Sequence, residues 1–128
     1  MLRVLRICFA AAALLVAGWA GALEVQPYSP KAFAAAQSEG RPVALQFRAD
    51  WCPTCRKQDK ALKALQADPA LKDVVVFVAD YDTEEDLKQR MNVRVQSTLI
   101  VFRGTQERAR SAGITEAERL KADLARAQ

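Results

Sequence analysis

Two nearly continuous apolar runs, Val43-Ala44-Leu45-Gln46-Phe47 and Val74-Val75-Val76-Phe77-Val78, have strand length and read as central strands of a sheet covered on both faces. Between them Ala61, Leu62, Ala64 and Leu65 fall at helical spacing over about residues 53–67, until Asp68-Pro69 breaks the pattern. Strand, helix, strand predicts a right-handed parallel crossover. Upstream, Ser29-Pro30 starts a short helix with proline at its first position, carried on by Phe33, Ala34 and Ala36 and stopped by Gly40 and Pro42.

Downstream, Thr83 is expected to cap a third helix with Glu84, Glu85 and Asp86 in its first turn, where acids suit the helix dipole; Leu87 and Met91 share its apolar face. Thr98–Phe102 reads as a strand, Arg103-Gly104-Thr105 as a hairpin turn, and Glu107–Ala112 as a polar edge strand protected by Arg108 and Arg110. Thr115 and Glu118 form a capping-box pattern ahead of a last helix bearing Leu120 and Leu124. Val25–Pro27 adds a short edge strand. The order predicts an α/β fold, a mixed four- to five-stranded sheet covered by helices on both faces.

The chain of 128 residues suits one domain. Its start differs from the rest: Arg3 and Arg6 precede an uncharged run from Ile7 to Gly21, and Ala20-Gly21-Ala22 has the small-x-small form of a cleavage site. Residues 1–22 read as a signal peptide cleaved after Ala22, and residues 23–128 as the mature domain, periplasmic or otherwise exported. The alternative is an N-terminal membrane anchor, for which the uncharged stretch extended to Leu23 only just reaches the minimum span of about 17 residues. Cys8 lies inside this run as an apolar filler. Cleavage removes two of the 19 basic residues and none of the 15 acids, so the formal charge falls from +4 to +2. That excess points to neither nucleic acid nor, after cleavage, a membrane surface. Asp80, Asp82 and Glu84 lack the turn glycine and distal Glu of a calcium loop.

The mature chain holds two cysteines, Cys52 and Cys55, and no histidine, too few ligands for a tetrahedral zinc site within one copy. A disulfide closing so short a loop constrains the unfolded chain little, which favours redox chemistry over a structural staple. The pair falls where a buried strand meets a helix, so the Cys52 sulfur faces unpaired backbone N–H groups and the positive dipole end, which stabilise its thiolate. Cys55, one turn on, is placed to displace a partner bound to Cys52. Pro53 suits the first helical turn, and neither it nor Thr54 brings a charge.

The stretch Phe47-Arg48-Ala49-Asp50-Trp51-Cys52-Pro53-Thr54-Cys55 resembles the active site of the thioredoxin superfamily, and the resemblance extends over about residues 29–124. It implies a thioredoxin-like fold and a thiol-disulfide oxidoreductase without a bound cofactor or metal. It further implies catalytic Cys52 and Cys55, with a substrate surface made by Trp51, Pro53, Thr54, Ser97 and Thr98. Within the superfamily the chain is most similar to exported reductases. Protein thiols and disulfides are then its partners, an upstream membrane or soluble thiol protein its electron source, and a monomer its expected state.

Three departures from the family pattern stand out. Gln46 occupies the strand position of a buried carboxylate and cannot titrate. Ser97 replaces the usual cis-proline, so a trans bond and weakened substrate pairing are expected, with proline at 97 restoring them. The dipeptide between the cysteines lacks the histidine of strongly oxidising members, and Asp50 pushes the same way, towards a reducing protein. Gln46 and Ser97 also motivate a rival reading: a non-catalytic thioredoxin-fold binding or chaperone-like module, including one that carries a metal.

Overall fold

The two apolar runs form the middle of the sheet. The computed structural model describes residues 22–128, so the signal-peptide assignment, Cys8 included, lies outside the described residues but for Ala22. Five strands, β1 (Glu24–Pro27), β2 (Pro42–Arg48), β3 (Val75–Asp80), β4 (Thr98–Arg103) and β5 (Gln106–Ala112), alternate with four helices, α1 (Pro30–Ser38), α2 (Pro53–Leu65), α3 (Glu85–Arg90) and α4 (Ala117–Ala125), and a 3-10 turn spans Pro69–Leu71. The sheet order is β1-β3-β2-β4-β5. β3 lies between β1 and β2 and parallel to both, whereas β4 and β5 run antiparallel to their neighbours. This is the expected mixed five-stranded α/β architecture.

Alternation along the strands builds two cores. Val43, Leu45 and Phe47 of β2 and Val75, Phe77 and Ala79 of β3 face α1 and α3, where Phe33 sits edge-on to Phe77 and Phe102. The opposite face carries Ala44, Val76, Leu99 and Val101 against Leu62 and Leu65 of α2 and Leu120 and Leu124 of α4. Each such buried Leu or Phe contributes about 1.5–3 kcal/mol. Gln46 follows Ala44 on the α2 face, so its amide is buried at the sheet centre, 1% exposed.

Ser29 caps α1 as expected, its hydroxyl accepting from Ala32 N. Two helix starts differ from the expected positions. α3 begins at Glu85 behind Glu84, with no side-chain cap from Thr83, because the chain first turns around Asp80: its Oδ1 accepts from Asp82 N and its carbonyl from Glu84 N. α4 begins at Ala117, since Glu116 remains extended and its own carboxylate accepts from Thr115 N, so the Thr115–Glu118 box does not form. The positive φ of Gly104, 56°, turns the β4–β5 hairpin, a conformation glycine adopts without steric cost.

Candidate active site

β2 delivers the chain to Ala49, and a tight turn closed by Cys52 N donating to Ala49 O sets Cys52 as the N-cap of α2. Pro53 follows at the first helical position, where its missing N–H costs nothing. The cap is a sulfur: Cys52 Sγ accepts from Cys55 N at 3.1 Å. Cys52 and Cys55 form a disulfide, with Cα atoms 5.2 Å apart. Both are fully buried, in a small cluster with Ala49 against which Tyr81 packs.

Ser97, just ahead of β4, comes to the same point from the strand next to β2. Its N–H donates to Phe47 O at 2.8 Å, and its carbonyl accepts from Gly113 N at 3.1 Å and Gln58 Nε2 at 3.2 Å. These bonds hold it at φ 62°, in the left-handed region a non-glycine residue seldom occupies. Its hydroxyl lies 3.0 Å from Cys55 Sγ and 3.4 Å from Cys52 Sγ. No cis peptide bond occurs among the described residues. The expectation that proline at 97 would restore docking does not survive this geometry: proline is fixed near φ −65° and has no N–H for Phe47 O.

Thr98 is buried, and its hydroxyl donates to Val95 O at 2.7 Å. Trp51 is 56% exposed, steadied by Nε1 donating to Asp82 Oδ2 at 2.9 Å, and Pro53 is exposed as well. Thr54 is partly exposed. The structure therefore gathers Cys52, Cys55, Ser97 and Thr98 inside and leaves Trp51 and Pro53 on the rim.

Beneath the sulfurs runs a polar chain of which the sequence reading singled out Gln46 and missed Gln58 and Asp59. Gln46 Nε2 donates to Gln58 Oε1 at 2.9 Å and to Asp59 Oδ1 at 3.0 Å; Gln58 Nε2 donates to Ser97 O and to Ile114 O. Gln46 Oε1 is buried without a partner. Asp59 Oδ2 accepts from Arg48 Nε at 2.7 Å, and Arg48 Nη1 reaches Asp50 at 2.6 Å. Asp59 first, then Asp50, raises the Arg48 pKa above its ordinary value. Asp50 is thus paired with a guanidinium, so its negative charge does not act alone on Cys52 as the sequence suggested. Exposed Val95, at 45%, is a second missed residue, near the site through its carbonyl. The i+3 spacing from Cys55 was the available signal for Gln58, and the apolar residue before the Ser97 loop the signal for Val95.

Residues 24–126 match the family described as Thioredoxin. The chain is 36% identical over 104 residues to a thiol:disulfide interchange protein, DsbD, of Ralstonia nicotianae, covering 76% of this chain but only 17% of that protein. It is 31% identical over 96 residues to a thioredoxin of Chlamydia trachomatis, covering 75% of this chain and 91% of the relative. The crystal structure of Trxlp from Edwardsiella tarda superposes with a TM-score of 0.75 at 44% identity, covering 79% of this chain and 98% of that one. With a Cys-x-x-Cys disulfide at the strand-to-helix junction of this fold, the chain is a thiol-disulfide oxidoreductase and belongs to the thioredoxin family.

Proposed function

We propose that the protein reduces, or relays electrons to, disulfides of exported proteins, with Cys52 as nucleophile and Cys55 as resolving thiol. The observation that carries this reading is the capping geometry: Cys52 Sγ accepts the Cys55 N–H at the positive end of α2, an arrangement that favours the thiolate on Cys52. The Cys52 thiolate attacks one sulfur of a partner disulfide, forming a mixed disulfide and expelling the other as a thiolate. Cys55 then attacks Cys52 Sγ, closes the enzyme disulfide and releases the second partner thiol. An upstream thiol protein reverses the sequence to restore the dithiol.

Trp51, Pro53 and Val95 supply apolar surface around the buried sulfurs for an extended substrate, with Thr54, Ser97 and Thr98 shaping the floor. Because both sulfurs are covered, docking has to part this rim before exchange. Export rests on the basic, then uncharged, first 22 residues and on the likeness to a thiol:disulfide interchange protein. No helix among the described residues is long and apolar enough to cross a membrane. Leu23, first in the mature chain, keeps its side chain in the core. The mature protein is expected to act as a monomer.

The test is trapping with a protein-disulfide substrate. Cys55→Ser should accumulate covalent partner adducts, while Cys52→Ser should neither trap nor turn over. Equal trapping by both variants overturns the assigned order, and a wild-type reduction rate equal to buffer returns the chain to a binding module.

A further inference from the structure

A family member that carries an amide at position 46 needs another way to manage the charge on its sulfurs. The groups that face the pair narrow the choice. Tyr81 packs from the loop after β3, and Asp59, one turn along α2 from Cys55, is engaged by Gln46 and Arg48. Arg56, on the first turn of α2, directs its guanidinium to Asp50 O. The side chain in hydrogen-bond contact with both sulfurs is Ser97, 1% exposed, and its hydroxyl has no other partner among the described residues.

We infer that the Ser97 hydroxyl is a catalytic group that donates to whichever cysteine sulfur bears the negative charge, turning from Cys52 to Cys55 between the two steps of exchange. This rests on the reaction order proposed above. In the dithiol, Ser97 Oγ accepts the Cys55 S–H and gives its own proton's hydrogen bond to the Cys52 thiolate. When Cys52 bonds to the partner, that acceptor is lost and the partner's first sulfur leaves as a thiolate. The proton of Cys55 passes to that thiolate, and the freed hydroxyl rotates to donate to the Cys55 thiolate, 3.0 Å away in the disulfide state. Cys55 attacks Cys52 Sγ, the mixed disulfide breaks, and the second partner sulfur departs with the electron pair. One thiolate and one thiol have become a disulfide, while the partner disulfide has become one thiol and one thiolate, so atoms, protons and electrons balance.

Burial strengthens such a bond, since no water competes for the hydroxyl, and hydrogen bonds to charged groups exceed neutral ones. The backbone at φ 62° supplies the control. Glycine accepts that conformation readily, so Ser97→Gly removes the hydroxyl without adding strain, and Ser97→Ala removes it while keeping Cβ.

The experiment mixes the reduced protein with a symmetrical nitroaryl disulfide whose thiolate is coloured. The first equivalent released reports attack by Cys52, the second resolution by Cys55. The wild type should release two equivalents. Both Ser97 variants should slow the second phase about tenfold at neutral pH and raise its pH midpoint by about one unit, the same tenfold in thiolate fraction. The first phase should slow as well, but by less than the second, because the helix N-terminus and Cys55 N–H still serve Cys52. A second phase and midpoint unchanged in both variants overturn the hydroxyl's role. Slowing in Ala alone also overturns it, by tracing the effect to backbone strain. A wild type releasing a single equivalent instead refutes the resolving role of Cys55 and the reading beneath it.

Discussion

Gln58 ties the redox helix to two loops at once, and its replacement should be costly well beyond the site. Its side chain is fully buried and makes three hydrogen bonds, accepting from Gln46 and donating to the carbonyls of Ser97 and Ile114. In Gln58→Ala, Gln46 Nε2 keeps Asp59 and Ser97 O keeps Gly113 N, so the chief orphan is Ile114 O. Ile114 O is part-buried, so its loss falls towards the low end of the about 1–3 kcal/mol of an unsatisfied buried carbonyl, and the space left by the truncated, fully buried side chain adds to it. The expected loss is about 3 kcal/mol, which for a domain of this size lowers Tm by roughly 10–20 °C. Gln58→Met conserves volume and removes only the hydrogen bonds, so it should lose about 2 kcal/mol. Gln58→Glu puts a carboxylate against two carbonyls and should be worse than either at neutral pH, recovering as acid protonates it. Urea denaturation followed by circular dichroism measures all three. Losses below about 0.5 kcal/mol in both Ala and Met would show that the buried amide is not what holds the Ser97 loop.

Ser97→Pro should destabilise the fold by about 2–4 kcal/mol, since it forfeits the 2.8 Å bond to Phe47 O and cannot take φ 62°; unfolding midpoints equal to wild type would refute this. Asp68 caps the 3-10 turn through Ala70 N and pairs with Lys121 of α4 at 2.7 Å, and the Lys121 hydrogen bond, then the Ala70 N–H, hold its pKa below the ordinary 3.8. A depressed folded value means that the pair's stabilisation is complete above pH 3.8 and is lost as pH falls through the lower folded value. Lys121, raised above 10.5, has the mirror behaviour at the alkaline end, where stabilisation is lost as pH rises through its folded value. Asp68→Asn retains a good cap, so its deficit against wild type should be constant near neutral pH and vanish in strong acid. A deficit that persists there sinks the charge argument.

The sheet was legible because a buried parallel strand needs apolar residues on both faces, and β2 and β3 show it as continuous runs. Ser29-Pro30 was legible because one residue supplies the cap and the next has no N–H to satisfy. The starts of α3 and α4 were not: the turn around Asp80, whose carboxylate and carbonyl take the N–H groups of Asp82 and Glu84, delays α3, and at α4 the Glu116 carboxylate takes the Thr115 N–H that the capping box needs. The cysteine pair declared itself by spacing and position. Its polar underlay did not, since a glutamine on a helix of mean polar character reads as solvent-facing until the opposite strand is known to carry an amide. Nor does composition indicate that Ser97 lies at positive φ; its N–H donating to Phe47 O, and its carbonyl accepting from Gly113 N and Gln58 Nε2, impose it.

The direction of the hydrogen bonds beneath the sulfurs explains how an amide can stand at position 46. Arg48 donates to Asp59, and Asp59 accepts from Gln46, which spends its other N–H on Gln58 Oε1. That acceptance leaves Gln58 only its amino group for the carbonyls of Ser97 and Ile114, so the orientation of both amides is fixed by one carboxylate. Reversing either amide would set oxygen against oxygen. The negative charge therefore lies one helical turn along α2 from Cys55, on Asp59, where Arg48 offsets it in a part-exposed site. What reaches the cysteines along this chain is position rather than charge: the Ser97 carbonyl is held, its φ is held, and its hydroxyl is aimed at the sulfurs. A carboxylate in place of the Gln46 amide would sit beside a second carboxylate, Asp59, at hydrogen-bond distance, where the amide's attraction gives way to repulsion between like charges.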